Sequence, residues 1–249
     1  MEKKLLTIGE TAELLGVSID TLRKWDEKNI LNSFRPSSTG NRYYLKEDLE
    51  KFLRQDSEEY KENLSSLAIE WATNQSPTSI SPNVYCETND IFSARLQRLS
   101  SELQGIAELK DIFPLTVAIT GEIGNNSYNH NIGNWPDVQG VFFGYNIKKR
   151  EIVLADRGRG ILKTLQRVLP NLKNDQEAVE VAFTKYISAR APEDRGNGLK
   201  FVRDVIASYP LKLKFFTGNA AVELGEGSTE LNIKETDKSF HGCIAIINY

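Results

Sequence analysis

Apolar positions in residues 1–55 recur every three or four residues, in short runs broken by turn chemistry. Thr7 is placed to cap a helix, Glu10 completes a capping box three residues later, and Ala12, Leu14 and Leu15 supply an apolar face ending at Gly16. After a turn at residues 16–18, Ser18 caps a second helix over residues 19–29, with Leu22 and Trp25 inward and Thr21, Arg23, Lys24 and Lys28 outward. Residues 34–44 predict a small hairpin, and residues 45–53 a helix that buries Leu45, Leu49, Phe52 and Leu53. The expected N-terminal unit is an all-α winged helix-turn-helix.

Residues 56–72 predict one short amphipathic helix, and residues 73–83, rich in Ser, Thr, Pro and Asn, a linker. Together residues 56–83 separate the first unit from a second over residues 84–249. Its first part is helical, with Phe92, Leu96, Leu99, Leu103 and Ile106 in register over residues 91–109 and a second helix over residues 114–130. The period then changes. Residues 138–146 and 151–155 read as an antiparallel hairpin, a helix follows Gly198, and residues 211–216, 220–224, 229–234 and 243–248 read as further strands. The predicted class is α+β, a two-layer sandwich with helices on one face of a mixed, largely antiparallel sheet.

A chain of 249 residues is long enough for two modest domains. No apolar run reaches the length of a bilayer, and Leu5 and Leu6 after Lys3 and Lys4 do not make a signal peptide. A cytoplasmic location, with no membrane partner, is the expectation. Cys86 and Cys243 lack metal-ligand spacing and read as reduced, buried thiols. The net charge of -3 excludes indiscriminate coating of nucleic acid, yet up to Arg54 ten Lys and Arg face nine Asp and Glu. That small excess permits DNA binding without arguing for it, so placement must decide.

The run from Thr7 to Ser18, then Thr21, Arg23, Lys24 and Trp25, then Gly40, Arg42, Tyr43 and Tyr44, resembles the winged helix of MerR-type regulators and excisionase-like proteins. The resemblance implies that Thr21, Arg23 and Lys24 enter the major groove of double-stranded DNA, with Arg42 and Tyr43 of the wing near phosphates or the adjacent minor groove. Such residues can read guanine edges or hold phosphates. The plainer alternative is a protein-docking module with solvated basic residues. The long dimerising helix of MerR proteins is not predicted, which leaves a homodimer open.

Three further motifs carry chemistry. Glu122 and Asn126 lie four apart on one helical face, where a carboxylate can orient a nucleophile and a neutral amide oxygen can bind a magnesium ion already crowded by phosphate. Asp156 ends an apolar strand, where it can accept from an exocyclic adenine amine, and Gly158 and Gly160 let backbone approach a ligand. Gly196, Asn197, Gly198 and Leu199 open a helix whose free amides suit phosphate, without the ending of a Walker loop or the third glycine of a Rossmann turn. Alone, each leans toward the plainer reading of a helix face, a turn or a loop.

Their order on an α+β background resembles the GHKL (Bergerat) ATPases. The resemblance implies ATP and Mg2+ as ligands, Glu122 as catalytic base and Asn126 as metal ligand. It makes Asp156 the adenine acceptor, with Gly158, Gly160, Ile161, Gly196, Asn197, Gly198 and Leu199 framing the nucleotide. Residues 157–195 would form an ATP lid, in which Thr184, Ser188, Arg190 and Arg195 are candidate phosphate contacts, and His130 would sit at the site edge. With only His130 and His241 in the chain, autophosphorylation of the histidine-kinase kind is not expected, and the compact match is to anti-sigma-factor kinases. A STAS-like or sigma-factor-like protein is the partner class this implies. The leading expectation is an ATP-binding, DNA-associated transcriptional regulator. A serine/threonine protein kinase or slow ATPase, and a non-hydrolysing interaction platform, are the alternatives.

Overall fold

The computed structural model describes residues 5–15, 17–27, 31–37, 40–49, 62–76, 80–185 and 198–249. In the N-terminal unit, β1 (Leu5–Thr7) leads into α1 (Ile8–Leu15) through the expected capping box. The Glu10 N–H donates to Thr7 Oγ1 at 3.2 Å, and the Thr7 N–H donates to Glu10 Oε2 at 2.8 Å. The second helix, α2 (Ile19–Glu27), starts where the Thr21 N–H donates to Ser18 Oγ at 3.0 Å. Leu22 and Trp25 are buried with Ala12, Leu15, Val17, Leu31, Tyr44 and Leu49.

Two expectations here are corrected. The unit is not all-α, because β2 (Tyr43–Leu45) pairs antiparallel with β1, Thr7 opposite Tyr43. Leu14 is exposed at 46%, because Leu15 and Ala12 already fill the inward face of so short a helix. Gly16, Lys28, Phe52 and Leu53 lie outside the described residues. The wing hairpin is present as mutual backbone hydrogen bonds between Phe34 and Tyr43. Asp26 ties it down by accepting from the Ser33 N–H at 2.8 Å and from Arg42 Nε at 2.8 Å. Burial raises the Asp26 pKa, but Arg42, Ser33 and Arg35 together hold it well below the usual carboxylate range.

The second unit contains α3 (Leu64–Thr73), β3 (Tyr85–Cys86), α4 (Asn89–Gln104), α5 (Phe113–Asn131), β4 (Val141–Asn146), β5 (Glu151–Asp156), α6 (Gly160–Leu165), α7 (Asp175–Thr184), α8 (Gly198–Ser208), β6 (Lys212–Gly225) and β7 (Asn232–Asn248). The strands form one sheet in the order β3-β4-β5-β7-β6, and every neighbouring pair is antiparallel, so the sheet is not mixed. The four predicted C-terminal strands are two long ones, β6 and β7, with register shifts around Gly218. Residues 235–239 of β7 are polar and carry no apolar alternation, which is why the pattern broke there.

Strand β5 shows how the core is organised. Ile152 and Leu154 point to one face, against Phe92, Leu99, Ile119 and Ile123 of α4 and α5 and Val202 and Ile206 of α8. Val153 and Ala155 point to the other, where Leu64, Ala68 and Trp71 of α3 pack on Phe142, Ile244 and Ile246. The helix expected inside a linker therefore belongs to this unit, and helices cover both faces of the sheet rather than one. Burial on both faces also explains the unbroken apolar runs of β4 and β5.

Candidate functional site

A cavity of about 620 Å³, within the usual range of small-molecule sites, opens between α5, the loop after β5 and the start of α8. Helix α5 supplies one wall through Glu122, Asn126, Ser127 and His130, spaced to share a face. Asp156, the last residue of β5, reaches it from the sheet at 2% exposure. Ser127 Oγ donates to Asp156 Oδ2 at 2.7 Å and the Gly158 N–H donates to Oδ1 at 2.8 Å. Burial pushes the Asp156 pKa up to about 6, against the lowering effect of these hydrogen bonds. The Cys243 N–H also donates to this carboxylate, and a fourth lone pair of the ionised form can still accept from a ligand N–H.

The backbone around Asp156 is fixed from three sides. Asn131 Oδ1 accepts from the Arg159 N–H at 3.0 Å, while Thr217 Oγ1 accepts from the Ile161 N–H at 3.2 Å and donates to the Gly242 carbonyl at 2.8 Å. Gly242 has φ +72°, and a β-carbon there would overlap Asp156 Oδ1 and the Gly158 nitrogen. On the far side of the cavity, Asn126 Nδ2 donates to Glu122 Oε1 at 3.1 Å. The first turn of α8 comes so close that a β-carbon on Gly198 would overlap the same carboxylate.

The cavity lining thus includes Glu122, Asn126, Asp156, Gly160, Ile161, Gly198 and Leu199, drawn from all three sequence motifs, with Gly158 just behind Asp156. Gly196, Asn197, Ser188, Arg190 and Arg195 lie outside the described residues. Thr184 spends its hydroxyl on Glu180 of its own helix. The stretch expected to begin the lid is folded instead: Arg157 is fully buried, donating to Asp137 Oδ2 at 2.9 and 2.6 Å and to the Trp71 carbonyl, and α6 and α7 bury Leu165, Val179, Val181 and Phe183. Sequence reasoning missed Ser127, Asn131, Thr217 and Gly242. Ser127 and Asn131 were accessible in principle, being four apart on the helix that already carried the Glu122 motif; Thr217 and Gly242 come from remote strands.

Among the described residues no cluster of three or more His, Cys, Asp or Glu has metal-ligand geometry. Cys86 is buried, whereas Cys243 is partly exposed and lines the cavity. No helix among the described residues is long and apolar enough to cross a membrane.

On the N-terminal unit, Arg23 and Lys24 are exposed along α2, and Lys24 pairs with Asp20 at 3.1 Å. Thr21 is 8% exposed, and its hydroxyl donates to Glu87 Oε2 of the second unit at 3.1 Å. Arg42 is committed to Asp26, and Tyr43 is half-buried in β2. No curated protein matches the chain. The family model described as MerR family regulatory protein matches residues 7–44, the stretch running from the Thr7 cap to the β2 ribbon. Residues 7–44 are accordingly similar to the helix-turn-helix of MerR-type DNA-binding regulators, which suggests a role in transcription regulation.

Proposed function

We propose that the second unit is a GHKL-type ATP-binding domain, and that nucleotide occupancy controls DNA or partner binding by a transcriptional regulator. The observation that carries this reading is Asp156, a buried carboxylate at a cavity wall, held by Ser127 and Gly158 and facing residues of the other two motifs. In this reading Asp156 accepts from the adenine amine, Ile161 and Leu199 flank the base, the α8 N-terminus with Gly198 receives phosphate, and Asn126 contributes an oxygen to Mg2+. The nucleotide supplies the phosphoanhydride; the chain binds and orients it. Residues 196 and 197 belong to this reading by sequence. Calorimetric titration of the full chain with ATP and Mg2+ should give saturable heat, and a flat titration would sink the proposal.

A second reading, that the site turns ATP over as a slow ATPase or as a serine/threonine kinase acting on a STAS-like or sigma-factor-like partner, is favoured by Glu122. Its carboxylate faces the cavity next to both Asn126 and the start of α8. Glu122→Gln should reduce phosphate release by about 100-fold or more, the ordinary worth of a general base, while leaving ATP affinity within a few-fold. Undiminished turnover in that variant would remove Glu122 as the base. Turnover absent from the native chain despite tight ATP binding would favour the non-hydrolysing platform, in which occupancy alters association with a partner or a second copy.

A further inference from the structure

The outward face of α2 does not stand clear of the second unit. Thr21 Oγ1 donates to Glu87 Oε2 at 3.1 Å, and the Lys24 ammonium, paired first with Asp20, is also drawn by Glu87. The contact is firmly mounted. Glu87 directly follows β3; its carbonyl accepts from Gln139 Nε2 at 3.5 Å, and the Cys86 carbonyl before it accepts from the Tyr128 hydroxyl at 2.7 Å. Thr88, next along, caps α4 through the Ile91 N–H at 3.4 Å.

A helix that reads DNA presents its N-terminal outward residues to base edges and phosphates. A carboxylate hydrogen-bonded to Thr21 occupies that approach and repels the phosphates that would replace it. We propose that Glu87 is an autoinhibitory clamp on the DNA-reading helix, so that duplex binding requires α2 to leave the second unit. The inference rests on DNA binding by the MerR-type module. It is independent of the nucleotide reading, although the clamp lies close to the cavity: Asn89, two residues on, lines it and donates to Asn125 Oδ1 of α5 at 3.1 Å. A closed form populated nine times in ten lowers apparent affinity about tenfold, which is the scale expected of the clamp.

The full chain can test this with duplexes selected from a randomised pool by the Glu87→Ala protein, followed by anisotropy titrations of the native, Glu87→Ala, Glu87→Gln and Asp90→Ala proteins. Asp90 is exposed three residues on, in the first turn of α4, so its removal controls for bulk charge. Glu87→Ala should bind about tenfold tighter than native, Glu87→Gln should move in the same direction, and Asp90→Ala should stay near native. Equal binding by native and Glu87→Ala, abolished in both by Arg23→Glu, would overturn the clamp and leave DNA binding by α2 standing. A gain as large in Asp90→Ala would also overturn it. Failure of the Glu87→Ala protein to enrich any duplex would overturn both readings.

Discussion

Asp156→Asn is expected to weaken ATP binding by about 10-fold to 150-fold, the 1.5–3 kcal/mol typical of a hydrogen bond to a charged group, while the protein stays folded. The amide keeps the shape, but with one oxygen in place of two it can accept on one side only: where that oxygen takes the Gly158 N–H, the nitrogen faces Ser127, whose hydroxyl turns to accept from it, and no ionised lone pair is left for a ligand. Two pH dependences of opposite sign should accompany it. Burial holds Asp156 at about 6, above the roughly 3.9 of an unfolded chain. The folded protein therefore retains a proton that the unfolded chain has lost between those values, and stability falls as pH rises through that window, by about 3 kcal/mol in all, then levels off. Nucleotide affinity should run the other way, falling about tenfold per pH unit below about 6. Denaturant melts and calorimetry across this range check both, and Asp156→Asn should flatten them. An unchanged affinity in the variant would remove Asp156 from the ligand site.

Arg157→Ala should destabilise the second unit by about 3 kcal/mol, seen as a lower denaturant midpoint at constant slope. The guanidinium is fully buried, pairs with Asp137, donates to the Trp71 carbonyl and lies 6.0 Å from the Trp71 ring centre. Removing it strands the α3 carbonyl in the interior, although Asp137, 27% exposed, can partly return to water. Arg157→Lys keeps the charge but loses the fork that satisfies two acceptors at once, and should recover only part of the loss. A change below about 1 kcal/mol would mean that the pair is no stronger than a surface ion pair.

What could be read in the sequence was local. The Thr7 and Glu10 box, the Leu22 and Trp25 face and the β4–β5 hairpin all depend on residues a few positions apart, and all are present. The gathering of Glu122, Asp156 and Gly198 around one cavity was anticipated from motif order, while their ligand remains a proposal. Elements set by distant partners were not legible. The run holding Leu64, Ala68 and Trp71 read as a short amphipathic helix in the segment between the units because its partners, Phe142, Val153 and Ile244, arrive from strands far along the chain. Thr217 and Gly242 meet Asp156 only once β6 and β7 are paired, and a single glycine at positive φ carries no local signature. Arg157, inside a glycine-rich motif, looked like a lid residue; only the packing of α3 shows it to be interior.

The position of α3 on the outer face of the sheet also decides where this chain can be cut. A fragment begun at Val84, the boundary that composition alone recommends, would strip Leu64, Ala68 and Trp71 away and open Phe142, Val153, Ile244 and Ile246 to water. An apolar surface of that kind promotes self-association, so the shorter fragment should precipitate or aggregate on expression. A fragment begun ahead of Leu64 keeps the cover in place, and is the one from which a separately expressed second unit should be made.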